Sequence, residues 1–371
     1  MEANKALQDA VILIPSLEPD ERLPRYVQTL ADSGFGHLVI VDDGSGAPSQ
    51  EIFDRIARMD ERIQVLHHEV NRGKGVALKT GYQWIREHLP EISGVITADA
   101  DGQHTVKDCI RLAEELEKGK RALYLGSRDF NLPHVPPKSR FGNKCTSVVF
   151  RLCHGVWLPD TQTGLRAFRR EDLDFMIGVE GERYEYEMNV LIRCAREGLE
   201  MIPVPIETVY ENDNEGTHFH PIRDSWRIYK VILGSFFRYV GASLFCTALD
   251  QGLAAALREW LLPLAGFTGD AAIMTSGYIA RAVSAVVNFL LNKNLVFRVK
   301  NGARGAAIRY FVLALAAITA SNLLVQGLVR LGMAAWLAKL LVDTVLYFVN
   351  FYLQQRWVFR ETPAGNEDQT R

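Results

Sequence analysis

Ala98-Asp99-Ala100-Asp101-Gly102-Gln103-His104 follows the apolar run Val95-Ile96-Thr97 and precedes a helical pattern that opens near Val106. Apolar run, polar turn and helix in that order are the building unit of an α/β fold, with the turn at the carboxyl end of a strand. Two carboxylates at i and i+2 on such a turn can converge, because a strand end no longer sends alternate side chains to opposite faces. That pair suits a hard cation, Mg²⁺ or Mn²⁺, held by few protein oxygens and completed by ligand phosphates. Taken alone, the stretch also reads as a solvated Asp-Gly turn. Its neighbours along the chain decide between the two.

Upstream, Ala10-Val11-Ile12-Leu13-Ile14-Pro15, Leu38-Val39-Ile40-Val41 and Ile63-Gln64-Val65-Leu66 read as strands, joined by helices over 21–33 and 49–58. A helix over 75–88, the strand at Val95, a helix over 105–118 and the strand Ala122-Leu123-Tyr124-Leu125 continue the alternation. Unbroken apolar runs of this length suit strands covered on both faces, so the spacing predicts a doubly wound, Rossmann-like parallel sheet. Ligands in such sheets sit beyond the carboxyl ends of the strands. Asp42-Asp43-Gly44-Ser45, Asp99-x-Asp101 and Gly126-Ser127-Arg128 all fall there. The first strand leads to Pro15-Ser16-Leu17-Glu18 instead of a G-x-G-x-x-G turn, and Asn71-Arg72-Gly73-Lys74-Gly75 lacks the Walker spacing, which disfavours a dehydrogenase or a kinase.

The 371 residues carry a formal net charge of −2, so no nucleic-acid partner is expected. Cys109, Cys145, Cys153, Cys194 and Cys246 are odd in number and without C-x-x-C spacing, as reduced core thiols would be. Met1 to Ala10 lacks a basic segment followed by an apolar one, so the front part is expected in the cytosol. A mean hydropathy of −0.03 averages a charged front part with a strongly apolar C-terminal part.

From about Val231 four candidate spans follow, near 231–257, 271–291, 308–330 and 334–355, each close to the ~20 residues that cross a bilayer. Val287-Asn288-Phe289-Leu290-Leu291-Asn292-Lys293-Asn294-Leu295-Val296-Phe297-Arg298 recurs as Val349-Asn350-Phe351-Tyr352-Leu353-Gln354-Gln355-Arg356-Trp357-Val358-Phe359-Arg360. Each pair of spans also opens alike, with Arg238-Tyr239 and Arg309-Tyr310, so four helices form two parallel repeats. Lys293, Arg298, Lys300, Arg304 and Arg309 load the middle loop, which places that side and both termini in the cytosol. Arg281 and Asp343 each lie seven residues before the repeat's Asn, and either alone near the bilayer centre would cost ~2.5–3.5 kcal/mol. They are expected to pair across the pseudo-symmetry axis with Asp250 nearby, as a polar seam for a lipid phosphate or sugar. Separate snorkelling is the alternative. Phe141 to Leu158 mixes apolar residues with Arg140, Lys144 and Arg151, as an amphipathic segment on a membrane or a buried core helix would.

Over residues 10–210 the chain resembles the family-2 glycosyltransferases of GT-A fold, on Ile14-Pro15, Val41-Asp42-Asp43-Gly44-Ser45, Asn71-Arg72-Gly73-Lys74-Gly75, Asp99-Ala100-Asp101-x-Gln103-His104 and Gly126-Ser127-Arg128 in family order. Within that family it is most similar to dolichyl- and polyprenyl-phosphate hexosyltransferases. Residues 235–360 resemble the GtrA-like membrane proteins, which are associated with lipid-linked sugar export. The resemblance implies a nucleotide-sugar site of Pro15, Glu18, Asp43, Asp99, Ala100, Asp101 and Arg128, with Asp43 on the base or ribose and Arg128 neutralising phosphate. It implies Mg²⁺ or Mn²⁺ on Asp99, Asp101 and Gln103. Leu17-Glu18-Pro19 departs from the family's aromatic-Asn-Glu, so Glu18 is left to supply a polar contact.

Asp160-Thr161-Gln162-Thr163-Gly164-Leu165-Arg166-Ala167-Phe168-Arg169 resembles the segment beside the family's acceptor, and Glu187 at the start of a helix is the candidate base if the acceptor is a hydroxyl. A lipid phosphate is already ionised and needs none; Arg140, Lys144 and Arg223 are then its candidate contacts. The chain is expected to comprise a tail (1–9), a GT-A domain (10–228), a GtrA-like membrane domain (229–360) and a second tail (361–371). The expected activity is inverting hexose transfer from UDP- or GDP-hexose to polyprenyl phosphate at the bacterial cytoplasmic membrane, with Asp101, Arg128 and Glu187 as catalytic residues. Export by the membrane half is a linked expectation, and a homo-oligomer is compatible with it. A transporter whose front part only binds, and transfer to a hydroxyl, are the alternatives.

Overall fold

Seven strands form one sheet in the order β3-β2-β1-β4-β6-β5-β7. They are β1 (Ala10–Ser16), β2 (His37–Asp42), β3 (Ile63–His67), β4 (Gly94–Thr97), β5 (Leu123–Ser127), β6 (Arg166–Arg169) and β7 (Met201–Pro205). The computed structural model describes residues 5–133, 135–207, 226, 229–297 and 303–359. All seven residues of β1 are buried, as its unbroken apolar run requires. Parallel pairing joins β1 to β2 and β4, β2 to β3, and β5 to β7. β6 is the exception. It runs antiparallel between β4 and β5, which turns the expected parallel sheet into the mixed sheet of a GT-A fold. Arg-Ala-Phe-Arg is too short and too charged to announce a strand, and its Arg166 is buried.

The longer helices described beside this sheet are α1 (Arg22–Asp32), α2 (Ala47–Ala57), α3 (Lys74–His88), α4 (Val106–Glu117), α5 (Pro137–His154) and α6 (Glu185–Glu197). α1 shows how the pattern works, since Leu23, Tyr26, Val27, Leu30 and Ala31 recur at helical spacing and are the residues it buries. β1 lies between β2 and β4, so the carboxyl ends of these three strands share one rim. Register places Asp42 beside Ser16, and Thr97 beside Leu13.

α5 mixes the two classes on both faces. Asn143, Thr146, Ser147 and His154 face inward beside Phe150 and Cys153, while Phe141, Val148 and Leu152 are exposed. Burial pushes the His154 imidazole down to about 4, outweighing the backbone at Ile232, which favours the cation. The unfolded chain takes up that proton near pH 6.5, so folding stability is complete above that value. It should fall by about 1.4 kcal/mol per pH unit between pH 6.5 and 4. Thermal melts across this range should show the slope, and His154→Phe should flatten it.

The chain divides into two compact units, Met1–Ile232 and Leu233–Arg371. The second holds α7 (Gly234–Ala256), α8 (Gly269–Leu291), α9 (Ala303–Arg330) and α10 (Ala335–Leu353). With flanking turns, the four apolar stretches contain 31, 28, 27 and 24 residues. At about 1.5 Å per residue each exceeds the ~30 Å hydrocarbon core. This is a membrane protein.

The repeat is structural. Each half ends in a π-helical turn, Asn292–Val296 and Gln354–Val358, and Asn292 Nδ2 donates to Gln354 Oε1 at 3.1 Å. Phe297 stacks on Phe359 at 5.0 Å, while Phe289–Phe359 and Phe351–Phe297 both lie at 6.0 Å, a reciprocal pattern expected about a pseudo-two-fold axis. The charged residues do not follow that axis. Arg281 pairs with Asp250 at 3.3 Å, and Asp343 pairs with Lys339 at 3.1 Å and accepts from Ser321 at 2.7 Å. The expected Arg281–Asp343 pair is therefore corrected: Arg281 closes on Asp250 of α7, and Asp343 closes on Lys339 of its own helix and on Ser321 of α9, each within one repeat. Ser284, which donates to Asp250 at 3.1 Å, completes the first set.

Candidate active site

The site grows from the end of β4. Asp99 leaves the strand two residues after Thr97 and is held from both sides, by Lys74 Nζ on Oδ1 at 2.7 Å and His104 Nε2 on Oδ2 at 3.1 Å. Lys74 also reaches Glu187 Oε1 at 3.0 Å. One ammonium thus bridges two carboxylates that lie nearly ninety residues apart in the chain. Burial would raise the Asp99 carboxyl, but the Lys74 charge and the His104 hydrogen bond outweigh it and hold it well below the usual range. Burial would likewise lower the Lys74 ammonium, and the two carboxylates outweigh that and raise it.

Backbone geometry makes this cluster possible. Gly73 sits at φ +98°, and a Cβ on Gly75 would lie 2.6 Å from the Tyr186 Cβ, so only glycines let the start of α3 approach the segment that carries Glu187. A Cβ on Gly164 would lie 2.3 Å from Asp99 Oδ2. Thr97 Oγ1 donates to the Gly164 carbonyl at 2.8 Å. Arg166 ties the same segment to α6, its guanidinium donating to the carbonyls of Thr163 at 3.0 Å and Glu187 at 2.7 Å.

Asp101 is different from Asp99. Among the described residues its carboxylate accepts only from the Gln103 backbone N–H, at 3.0 Å, and both residues are half-buried. No group of three or more His, Cys, Asp or Glu side chains gathers as a metal cage among the described residues. Hard cations that stay bound to phosphates need few protein oxygens. The uncommitted Asp101 carboxylate with Gln103 beside it fits that sparse donor set, whereas both Asp99 oxygens already have cationic or imidazole partners.

The remaining sequence-derived residues are placed as follows. Asp43 is 4% exposed and accepts from the backbone N–H of Arg72 at 3.0 Å and Gly73 at 2.7 Å and pairs with His68 Nδ1 at 2.8 Å, so it shapes the loop that launches α3. Its neighbour Asp42 accepts from Ser45 N at 2.8 Å; burial raises its carboxyl, but the Ser45 side chain and His67, with this backbone bond, bring it below the usual value. Glu18, at φ +47°, accepts from Gly46 N at 2.8 Å and Ser49 Oγ at 2.9 Å and so caps α2. Pro15 is buried within β1, and Ala100 packs on the core. Arg128 is paired with buried Asp160 at 2.7 Å. Arg140 donates to the carbonyls of Phe130 and Leu132 at 2.8 and 2.9 Å, Lys144 is exposed one turn further along α5, and Arg223 lies outside the described residues. Sequence reasoning assigned no role to Lys74 or His104. Both stand in motifs it quoted, but their contacts were invisible.

A rim of acids and a lysine at the switch of an α/β sheet, in one chain with four membrane spans, defines a membrane-bound GT-A glycosyltransferase. Residues 11–176 match the glycosyl transferase family 2, and residues 238–359 match the GtrA/DPMS transmembrane domain. An uncharacterised protein of Methanocaldococcus jannaschii is 31% identical over 240 residues, 64% of this chain and 95% of its own length. A UDP-N-acetylglucosamine–dolichyl-phosphate N-acetylglucosaminyltransferase of Methanococcus voltae is 27% identical over 54% of this chain and 85% of its own length. The polyprenol monophosphomannose synthase of Mycolicibacterium smegmatis is 28% identical over 54% of this chain and 77% of its own. The chain belongs to glycosyltransferase family 2 through residues 11–176, and the two named relatives above are sugar transferases of dolichyl phosphate and polyprenol.

Proposed function

We propose that this protein transfers a hexose from UDP- or GDP-hexose to polyprenyl phosphate, at the cytosolic face of the bacterial inner membrane and with both termini on that face. The observation that carries this reading is the Asp101–Gln103 loop lying beside the Asp99–Lys74–Glu187 cluster, in a chain that supplies its own membrane spans. Relatives named for dolichyl phosphate and polyprenol support the acceptor.

In this reading Asp101 and Gln103, with Asp99 behind them, would hold Mg²⁺ or Mn²⁺, whose chemistry is to stabilise the charge of a departing nucleoside diphosphate. Asp43 and Glu18 set the loops around the nucleotide, with Pro15 and Ala100 as packing contacts. Arg128 faces phosphate while Asp160 fixes its guanidinium. Lys74 fixes the Asp99 carboxylate and holds Glu187 turned to the site. Arg140, Lys144 and Arg223 hold the acceptor phosphate in line with the anomeric carbon, and its ionised oxygen attacks without a base. A single displacement inverts the anomeric centre.

The same place for Glu187 supports a second reading, transfer to a hydroxyl with Glu187 as general base. Glu187→Gln separates the two. With a phosphate acceptor the rate should fall less than tenfold, whereas loss of a general base costs roughly 10²–10⁴. The principal test incubates membranes containing the protein with labelled UDP- and GDP-hexoses, polyprenyl phosphate and Mn²⁺. Label in extracted lipid supports the proposal; label only in water-soluble or protein acceptors overturns it.

A further inference from the structure

Each membrane repeat leaves one ionic set open to its surroundings. Arg281 lies near the middle of α8 with 76% of its side chain exposed, whereas its partner Asp250 is 11% exposed. The first repeat therefore turns a cation outward and keeps its acid inside. In the second repeat Lys339 and Asp343 are each about half exposed. The apolar side chains exposed on these helices call for no partner, because lipid tails cover them as well as protein does. Ions in mid-span differ, since hydrocarbon offers nothing to a guanidinium or a carboxylate. From Arg281 either end of α8 is ten or more residues away, about 15 Å at the α-helical rise, too far for the side chain to reach the headgroups.

The two sets stand at one depth. Arg281 lies eleven residues before Asn292 and Asp343 eleven before Gln354, the residues that open the two π-helical turns and meet in a hydrogen bond of 3.1 Å. One turn earlier on each helix, Gly277 is level with Lys339. A Cβ on Gly277 would meet nothing within 4 Å, so α8 carries an open notch beside Arg281. Within one chain the pseudo-two-fold puts equivalent faces on opposite sides of the bundle, which keeps Arg281 and Asp343 apart. A second copy removes that restriction. Copies inserted in the same orientation are related only by rotation about the membrane normal and shifts in its plane, and these preserve depth. They bring the guanidinium of one copy level with the carboxylate of the next, and the Lys339 stem level with the Gly277 notch.

The charges are complementary as well. Side by side, the groups run Asp250, Arg281, Asp343, Lys339, so signs alternate, every neighbouring pair attracts and the array is neutral. We propose that the Arg281 face of α8 docks on the Lys339–Asp343 face of α10 in a second copy of this chain. Each copy has one face of either kind, on opposite sides of its bundle, so it engages two neighbours. Such a head-to-tail contact builds a ring of three or more copies where its rotation closes. The inference stands apart from the transferase reading, since it uses only the membrane unit.

The test uses the full-length protein in lipid vesicles, with Tyr278, exposed one turn from Arg281, replaced by the photocrosslinker p-benzoylphenylalanine. Isotope-labelled and unlabelled copies are mixed, so that a crosslink between chains is recognised by mass. Illumination is expected to join residue 278 of one copy to residues 335–348 of another. Crosslinks to lipid alone, or to α8 of the other copy, overturn the proposal. In the same vesicles Arg281→Gln and Asp343→Asn should each lower the yield about tenfold, the scale of one interhelical polar contact in lipid. Each variant keeps one sound face. Native mass spectrometry should therefore find three or more copies for the parent, monomers for either variant alone, and dimers but nothing larger for their mixture. A monomeric parent, variants that assemble like the parent, or a mixture that stays monomeric overturns the proposal. Where a variant fails to fold, the crosslink map of the parent decides alone.

Discussion

Hexose transfer to polyprenyl phosphate is expected to fall by about 10²–10³ when Asp101 is replaced by alanine, with the melting temperature unchanged. The two halves of that statement come from different observations. The carboxylate is uncommitted, accepting only the Gln103 backbone N–H among the described residues, so its removal leaves no buried partner stranded. The same freedom makes it the residue available for phosphate-bound Mg²⁺ or Mn²⁺. Radiolabel counting of extracted lipid, paired with a thermal melt, reads both halves. Activity within threefold of the parent would remove this loop from the reaction.

Lys74→Met should behave in the opposite way and damage stability together with activity. Lys74 is 18% exposed and is the shared cation of Asp99 and Glu187, at 2.7 and 3.0 Å. Removing it takes the shared cation from two neighbouring carboxylates, leaving Asp99 only its contact with His104. Breaking a buried pair from one side costs about 3–5 kcal/mol. Because Asp99 is a third exposed and regains some water, about 3 kcal/mol is expected here. For a unit of this size that corresponds to a drop of roughly 6–12 °C. Adding Glu187→Gln to Lys74→Met should restore part of the loss, since one of the two stranded charges disappears. If the double variant melts below the single one, the repulsion account is wrong.

Much of the first unit is legible because its signals are local. The strands before Asp42, Asp99 and Arg128 are apolar runs whose length and composition state their burial, and the clusters that follow them stand at strand ends by chain order alone. The reversed strand β6 is not legible, because Arg166–Arg169 has no run or alternation of its own and is ordered by Ile96 and Tyr124 on either side of Ala167. In the candidate site the same division holds. Asp99 and Asp101 are visible as a pair, but their unequal situations depend on Lys74 and His104, and the Lys74–Asp99 contact spans 25 residues of chain.

The membrane unit sharpens the point. The repeat ending at Arg298 and Arg360 is a matter of matching letters, and four spans follow from apolar length against bilayer thickness. Which charges meet is another matter, since Arg281 and Asp343 occupy equivalent positions and yet close on Asp250 and on Lys339 with Ser321. Period, composition and order are properties of neighbouring residues, so the sequence by itself determined the elements, the rim, the spans and the duplication. Pairing is a property of distance in space, so only the tertiary structure decided that one lysine joins two acids and that each polar set stays within its own repeat.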